Sequence, residues 1–156
     1  MNLFERLHRR RARVLFVCLG NSCRSQMAEG FARAYGSDVL ESHSAGIRPA
    51  PRISRRTRLV MEEKGVPLTV FSPKHISIFN LDDFDVIVNL CEYSIPSTTA
   101  LVLKRELRDP VEGDEDSFRD VREDVEQMVR FLIEHFRLAR QWRVNPLYSE
   151  ECAAAL

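Results

Sequence analysis

Residues 14–32, VLFVCLGNSCRSQMAEGFA, change hydrophobic period across a single tight loop. Residues 13–17, RVLFV, form the β-branched and aromatic run that a buried strand uses. Beyond the loop, Met27, Ala28, Phe31, Ala32 and Tyr35 recur at helical spacing, and Gly36 stands where it can end that helix. A buried strand that turns at once into an amphipathic helix is the opening unit of an α/β protein.

The same alternation continues along the chain. A second strand fits Val39 to His43, and a helix fits Ser54 to Lys64, closed by Gly65 with Pro67 beyond. A third strand fits Asp85 to Leu90 and a fourth fits Leu101 to Leu107. The last helix spans Ser117 to Arg140, where Phe118, Val121, Val125, Met128, Leu132, Phe136 and Ala139 make one apolar stripe. Strands alternating with helices imply right-handed crossovers and a three-layer αβα sandwich around a four-stranded parallel sheet. In such sheets ligands bind at the carboxyl ends of the strands.

That edge is where Cys18-Leu19-Gly20-Asn21-Ser22-Cys23-Arg24-Ser25 falls. A loop between a strand end and a helix N-terminus turns successive backbone N–H groups inward as an anion nest, and the helix dipole adds positive potential there. Leu19, Gly20, Asn21, Ser22, Cys23 and Arg24 are the expected oxyanion-binding residues, with the Arg24 fork matching two oxygens of a tetrahedral anion. Gly20 is read as the residue that allows an unusual backbone conformation. Positive potential favours the Cys18 thiolate, Ser25 can donate to its sulfur, and Asn21 can brace the loop. Asp109-Pro110 follows the fourth strand on the same edge, where an aspartic acid can protonate a leaving oxygen and later activate water.

Composition narrows the rest. In 156 residues, 44% hydrophobic and 29% charged describe an ordinary globular chain of about one domain. Lys and Arg total 23 and Asp and Glu total 23, so charge balance gives no reason to expect nucleic acid or membrane as partner. No apolar run approaches the roughly 20 residues of a membrane span, and no apolar segment behind the charged N-terminus suits a secretory signal. The basic arm, residues 1–12, carries Arg6, Arg9, Arg10 and Arg11, and a tail of residues 142–156 follows the domain at 13–141. From Arg108 to Glu126 nine acidic residues face three arginines, which reads as a solvated polar stretch leading into the last helix. Cys18, Cys23, Cys91 and Cys152 are too few and too oddly spaced for a disulfide scaffold. His8, His43, His75 and His135 show no metal-ligand spacing, so no metal is expected. The cysteines point to a reducing, cytoplasmic setting.

The stretch VLFVCLGNSCRSQMAEGFA resembles the active-site loop of the low-molecular-weight protein tyrosine phosphatase superfamily. The similarity extends through SHSAG at 42–46, DVIVNLC at 85–91 and Asp109-Pro110 into the closing helix, covering about residues 12–138. Ser25-Gln26-Met27-Ala28-Glu29 is similar to the arsenate reductase branch, since the phosphatases usually carry proline at the place of Gln26. Val111-Glu112-Gly113-Asp114 stands where phosphatases tend to carry tyrosines. Cys91 matches the position of the reductases' resolving cysteine.

The resemblance implies an arsenate reductase in which Cys18 forms a thiol–arsenate adduct, with Arg24, Ser25 and Asp109 assisting and a second thiol resolving it. Its alternative is a low-molecular-weight phosphatase that hydrolyses phosphotyrosine or aryl phosphates through a phosphorylated Cys18. Cys91, Cys23, Cys152 or glutathione remains open as the resolving thiol. Cysteines that some reductases carry further along this loop are absent, and Tyr93 stands at one of those places. Pro73 replaces an acidic residue that helps some reductases bind potassium, so no obligatory metal is implied. No tightly bound cofactor is implied either. The partners are arsenate or phosphate, plus an external thiol system, glutathione with glutaredoxin or thioredoxin.

Overall fold

A computed structural model of the chain describes residues 10–142; the first nine residues and the tail from 143 onward, Cys152 included, lie outside the described residues. Four strands, β1 (Ala12–Cys18), β2 (Leu40–Gly46), β3 (Val86–Asn89) and β4 (Leu101–Lys104), alternate with helices α1 (Arg24–Gly36), α2 (Arg55–Glu62) and α3 (Glu115–Trp142). The sheet order is β2-β1-β3-β4 and every neighbouring pair is parallel. β1 is thus central, and the loop that follows it emerges in the middle of the carboxyl edge.

Alternation along β1 divides the interior in two. Val14, Phe16 and Cys18 face a large cluster that α1 fills with Met27, Ala28 and Phe31, α2 with Val60 and Met61, and α3 with Phe118, Val121 and Val125. Leu15 and Val17 face a smaller cluster with Ile76, Leu81, Phe84 and Ile87. All three α-helices therefore lie on one face. The third layer is built from the 3-10 turns Ile76–Ile78 and Leu81–Asp83 and the chain around them. His75 and Asn80 cap those turns by accepting from the backbone N–H of Ser77 and Asp82.

Several boundaries differ from the sequence expectation. β2 runs on past His43, because Ser44, Ala45 and Gly46 keep register with Phe16, Val17 and Cys18. Their small side chains carry little strand propensity, and pairing with a central strand overrides it. β4 stops at Lys104, three residues early, as the Arg105 and Leu107 N–H groups turn inward to the carbonyls of Asn89 and Leu90. That turn carries the chain back toward β1. α2 occupies only Arg55–Glu62, and Gly65 at φ 70° closes its end as expected.

The stripe on α3 also shifts. Val129 and Ile133 are buried, whereas Met128, Leu132 and Phe136 are only partly buried against the core. A 3.6-residue repeat makes both columns look alike in sequence; the approach of α1 selects between them. Within the acidic stretch Glu115 and Asp116 pair with Arg119, and Glu123 and Glu126 pair with Lys64, while Arg119 and Arg122 also hold Glu63. At the basic end, the Arg10 guanidinium makes two bonds to Asp85, 2.7 and 2.9 Å, and Arg11 donates to the Ser37 carbonyl.

Candidate active site

Cys18 is the last residue of β1, and Arg24 and Ser25 are the first two of α1, so the strand-to-helix connection is only five residues long. Its carbonyls are turned outward. Those of Cys18, Leu19, Gly20 and Ser22 accept from the N–H groups of Ile47, Arg48, Ala50 and Ser54, at 3.1, 2.8, 2.8 and 3.1 Å. With these carbonyls committed to a strap of residues 47–54, the loop's peptide N–H groups are left for an anion, as a nest requires. The strap carries no motif, because its contacts join residues distant in sequence.

The strained residue in the loop is Asn21, at φ 46°, and not Gly20, whose φ is unexceptional. Asparagine tolerates this region when its side chain is anchored. Here it is: Asn21 is fully buried, its Nδ2 donates to Ser25 Oγ at 2.8 Å and Ser44 Oγ at 3.0 Å, and its Oδ1 accepts from the Lys74 backbone N–H at 2.8 Å and from Gln26 Nε2 at 3.2 Å. Gly46, at the end of β2, lies directly under the loop. A Cβ there would stand 2.8 Å from the Leu19 carbonyl oxygen and 2.9 Å from the Asn21 backbone nitrogen, so only glycine lets β2 and the loop meet.

Cys18 is buried and its Sγ lies 2.9 Å from Ser25 Oγ. Since Ser25 Oγ already accepts from Asn21, its own proton is free for the sulfur, which stabilises a thiolate. Arg24 is 4% exposed. Its Nη1 donates to the Leu107 carbonyl at 2.9 Å, its Nη2 pairs with Asp109 Oδ2 at 2.5 Å, and its buried Nε has no protein partner. An unpartnered buried donor on a fixed cation is a costly arrangement that an oxyanion in the nest would relieve. The inward turn after β4 therefore brings Asp109 to the nest, where its other oxygen accepts from the Val111 N–H.

The remaining cysteines lie close by. Cys91 follows β3 on the same carboxyl edge, 1% exposed, its Sγ 3.4 Å from Asn89 Oδ1. Burial pushes its thiol up, partly offset by the Tyr93 backbone N–H, and the charges of Cys18 and Arg24 both reach it. Cys23 is buried between the loop and Thr57, and burial pushes its thiol up to about 12. Among the described residues no cluster of three or more His, Cys, Asp or Glu is placed to hold a metal, and no helix is long and apolar enough to cross a membrane.

Comparison with known proteins matches residues 13–143 to the family model described as low molecular weight phosphotyrosine protein phosphatase. A curated relative from Synechocystis, named glutaredoxin arsenate reductase, is 36% identical over 78% of this chain and 95% of its own length. A solved structure titled "An arsenate reductase in the phosphate binding state" superposes with a TM-score of 0.74 at 34% identity, covering 80% of this chain and 98% of that one. A low molecular weight protein tyrosine phosphatase from T. tengcongensis superposes with a TM-score of 0.71 over 80% of this chain and 99% of its own. At 23% identity that likeness speaks to the fold alone.

Proposed function

The chain belongs to the low molecular weight phosphotyrosine protein phosphatase family, and on that premise we propose that it is an arsenate reductase that uses Cys18 as nucleophile and Cys91 as resolving thiol. The observation that carries this reading is the position of Cys91. It lies one strand over from Cys18 on the same sheet edge, near enough for its ionisation to feel both Cys18 and Arg24. A phosphatase has no use for a second thiol there.

The reaction runs in three balanced steps. Arsenate lies in the nest formed by Leu19 to Cys23, with the Arg24 guanidinium on two of its oxygens. The Cys18 thiolate attacks arsenic, forming an S–As bond, while Asp109 gives a proton to the departing oxygen, which leaves as water. Another thiolate then attacks Cys18 Sγ. The S–As bond breaks with its electron pair going to arsenic, so As(V) leaves as arsenite and the two cysteines become a disulfide. An external thiol system restores them, and the glutaredoxin in the name of the Synechocystis relative supports glutaredoxin with glutathione ahead of thioredoxin.

Cys91 fits the resolving role better than Cys23. Cys23 is held protonated by its burial, with a thiol at about 12. Cys152 lies outside the described residues.

Arsenite release by the purified protein, with glutathione–glutaredoxin and thioredoxin supplied separately and an aryl phosphate run alongside, tests the proposal. Turnover of arsenate with one thiol system, lost in Cys91→Ser, is the expected result. Hydrolysis of the aryl phosphate with no arsenite from either system overturns it in favour of a phosphatase.

A further inference from the structure

The hydrogen-bond chain behind Cys18 continues past Asn21 into the protein. The Lys74 backbone N–H can only donate, so its bond to Asn21 Oδ1 fixes which way that amide points. Asn21 Nδ2 consequently faces both serines, and each serine accepts one hydrogen and keeps its own to give. Ser25 gives its proton to Cys18 Sγ. Ser44 gives its proton to Glu29 Oε2 at 2.5 Å.

Glu29 is 1% exposed, an unusual place for a carboxylate. Arg33 Nη2 pairs with its Oε1 at 2.6 Å, and Lys74 Nζ stands 3.8 Å from its Oε2. The Lys74 ammonium also donates to the Ser72 carbonyl at 3.2 Å, an oxygen shared with Gln26 Nε2. Lys74 thus acts twice, once through its backbone on Asn21 and once through its ammonium on Glu29. A buried carboxylate without counter-charges would take up a proton. A protonated Glu29 would present that hydrogen toward Arg33 or Ser44, both of which are donors.

We propose that Glu29 and Lys74 are positioning residues for the nucleophile. Ionised Glu29 is the terminal acceptor that orients Ser44, and through it Asn21 and the Ser25 hydroxyl, onto the Cys18 thiolate. Arg33, 2.6 Å from Glu29 Oε1, and Lys74, 3.8 Å from its Oε2, are the built-in cations that face that carboxylate. The inference rests on the nucleophilic role proposed for Cys18, whose other ionisable neighbours are Arg24, Asp109, Cys23 and Cys91.

The test is the pH profile of Cys18 alkylation by iodoacetamide in the full-length protein, read peptide by peptide by mass spectrometry. This measures the thiolate whether or not arsenate is turned over, so failure of the reductase reading leaves it standing. Lys74→Met should move the alkylation midpoint upward by about one pH unit, a roughly tenfold slower reaction below the midpoint. Lys74→Arg should retain the wild-type profile, and added ethylammonium should restore Lys74→Met. Glu29→Gln should move the midpoint in the same direction as Lys74→Met. A wild-type profile in folded Lys74→Met overturns the proposal, as does a shift that neither arginine nor ethylammonium rescues, since that pattern belongs to a purely structural residue.

Discussion

Arg24 Nη2 lies 2.5 Å from Asp109 Oδ2, so the cation proposed to bind the oxyanion is also the tether of the aspartate beside it. The two functions compete for one guanidinium. An oxyanion that takes the fork draws Arg24 away from Asp109 and leaves that carboxyl facing the leaving oxygen. Asp109 is about two-fifths exposed and Arg24 is buried, so the aspartate is the partner able to move.

Asp109→Asn should therefore separate binding from chemistry. Removing a general acid typically costs about 10²- to 10⁴-fold in rate, and kcat should fall by that order. Oxyanion affinity should be unchanged or tighter, because Arg24 no longer has a competing carboxylate. Steady-state kinetics together with phosphate titration by calorimetry check both halves. A matching loss of phosphate affinity would instead make Asp109 a structural support for Arg24.

The resolving step should carry a pH dependence of its own. Burial holds the Cys91 thiol above its ordinary range, so at neutral pH only a small fraction is thiolate. Single-turnover arsenite release should rise with pH, about tenfold per unit, until that raised range is reached. Rapid-quench measurements from pH 6 to 9 check this. The rising limb should vanish in Cys91→Ser, which should accumulate the Cys18 adduct; a flat profile in the wild type would assign resolution to another thiol.

Cys18, Arg24, Ser25 and Asp109 were legible in the sequence because three of them lie within eight residues of one strand-to-helix turn, and the fourth follows a strand of the same sheet. Residues that act across distance were not. Gly46, the strap of 47–54, and the pairing of Glu29 with Lys74 depend on segments about 25 to 45 residues apart meeting under the loop. The sequence points to Gly20 for a conformation that Asn21 adopts, since glycine is the usual bearer of positive φ and only the tertiary hydrogen bonds make asparagine suitable. On α3, the sequence pattern does not separate Val129 and Ile133 from their neighbours Met128 and Leu132, because one helical stripe is two columns wide until a packing partner chooses between them.

Gly46→Ala tests the close approach of β2 to the loop. The added Cβ meets backbone atoms of Leu19 and Asn21 at 2.8 and 2.9 Å, and backbone cannot swing aside as a side chain can. Overpacking of this kind costs about 1–3 kcal/mol. Urea denaturation should show a loss of that size, with oxyanion affinity falling as well because the nest itself is displaced. An equally tight substitution away from the loop would affect stability alone.

Stability should fall at alkaline pH, and Cys23 supplies the reason. Its thiol titrates near 9 when unfolded and is pushed up to about 12 in the fold by burial, with Thr57 offsetting only part of that. Between those values the unfolded chain has released the proton and the folded chain keeps it. The native state therefore binds more protons, and the free energy of unfolding must decrease as pH rises. The full contribution is present below pH 9 and is lost at about 1.4 kcal/mol per pH unit above it. Denaturation midpoints at pH 8.0, 9.0, 9.5 and 10.0, in the presence of reductant, should fall progressively more steeply above pH 9. In Cys23→Ala that fall should be shallower by about one proton's worth, since alanine fills part of the same apolar site and has nothing to titrate. An identical slope in the variant would mean that the Cys23 thiol ionises freely in the folded protein, and Cys23 would then regain its standing beside Cys91 as a thiolate able to attack Cys18.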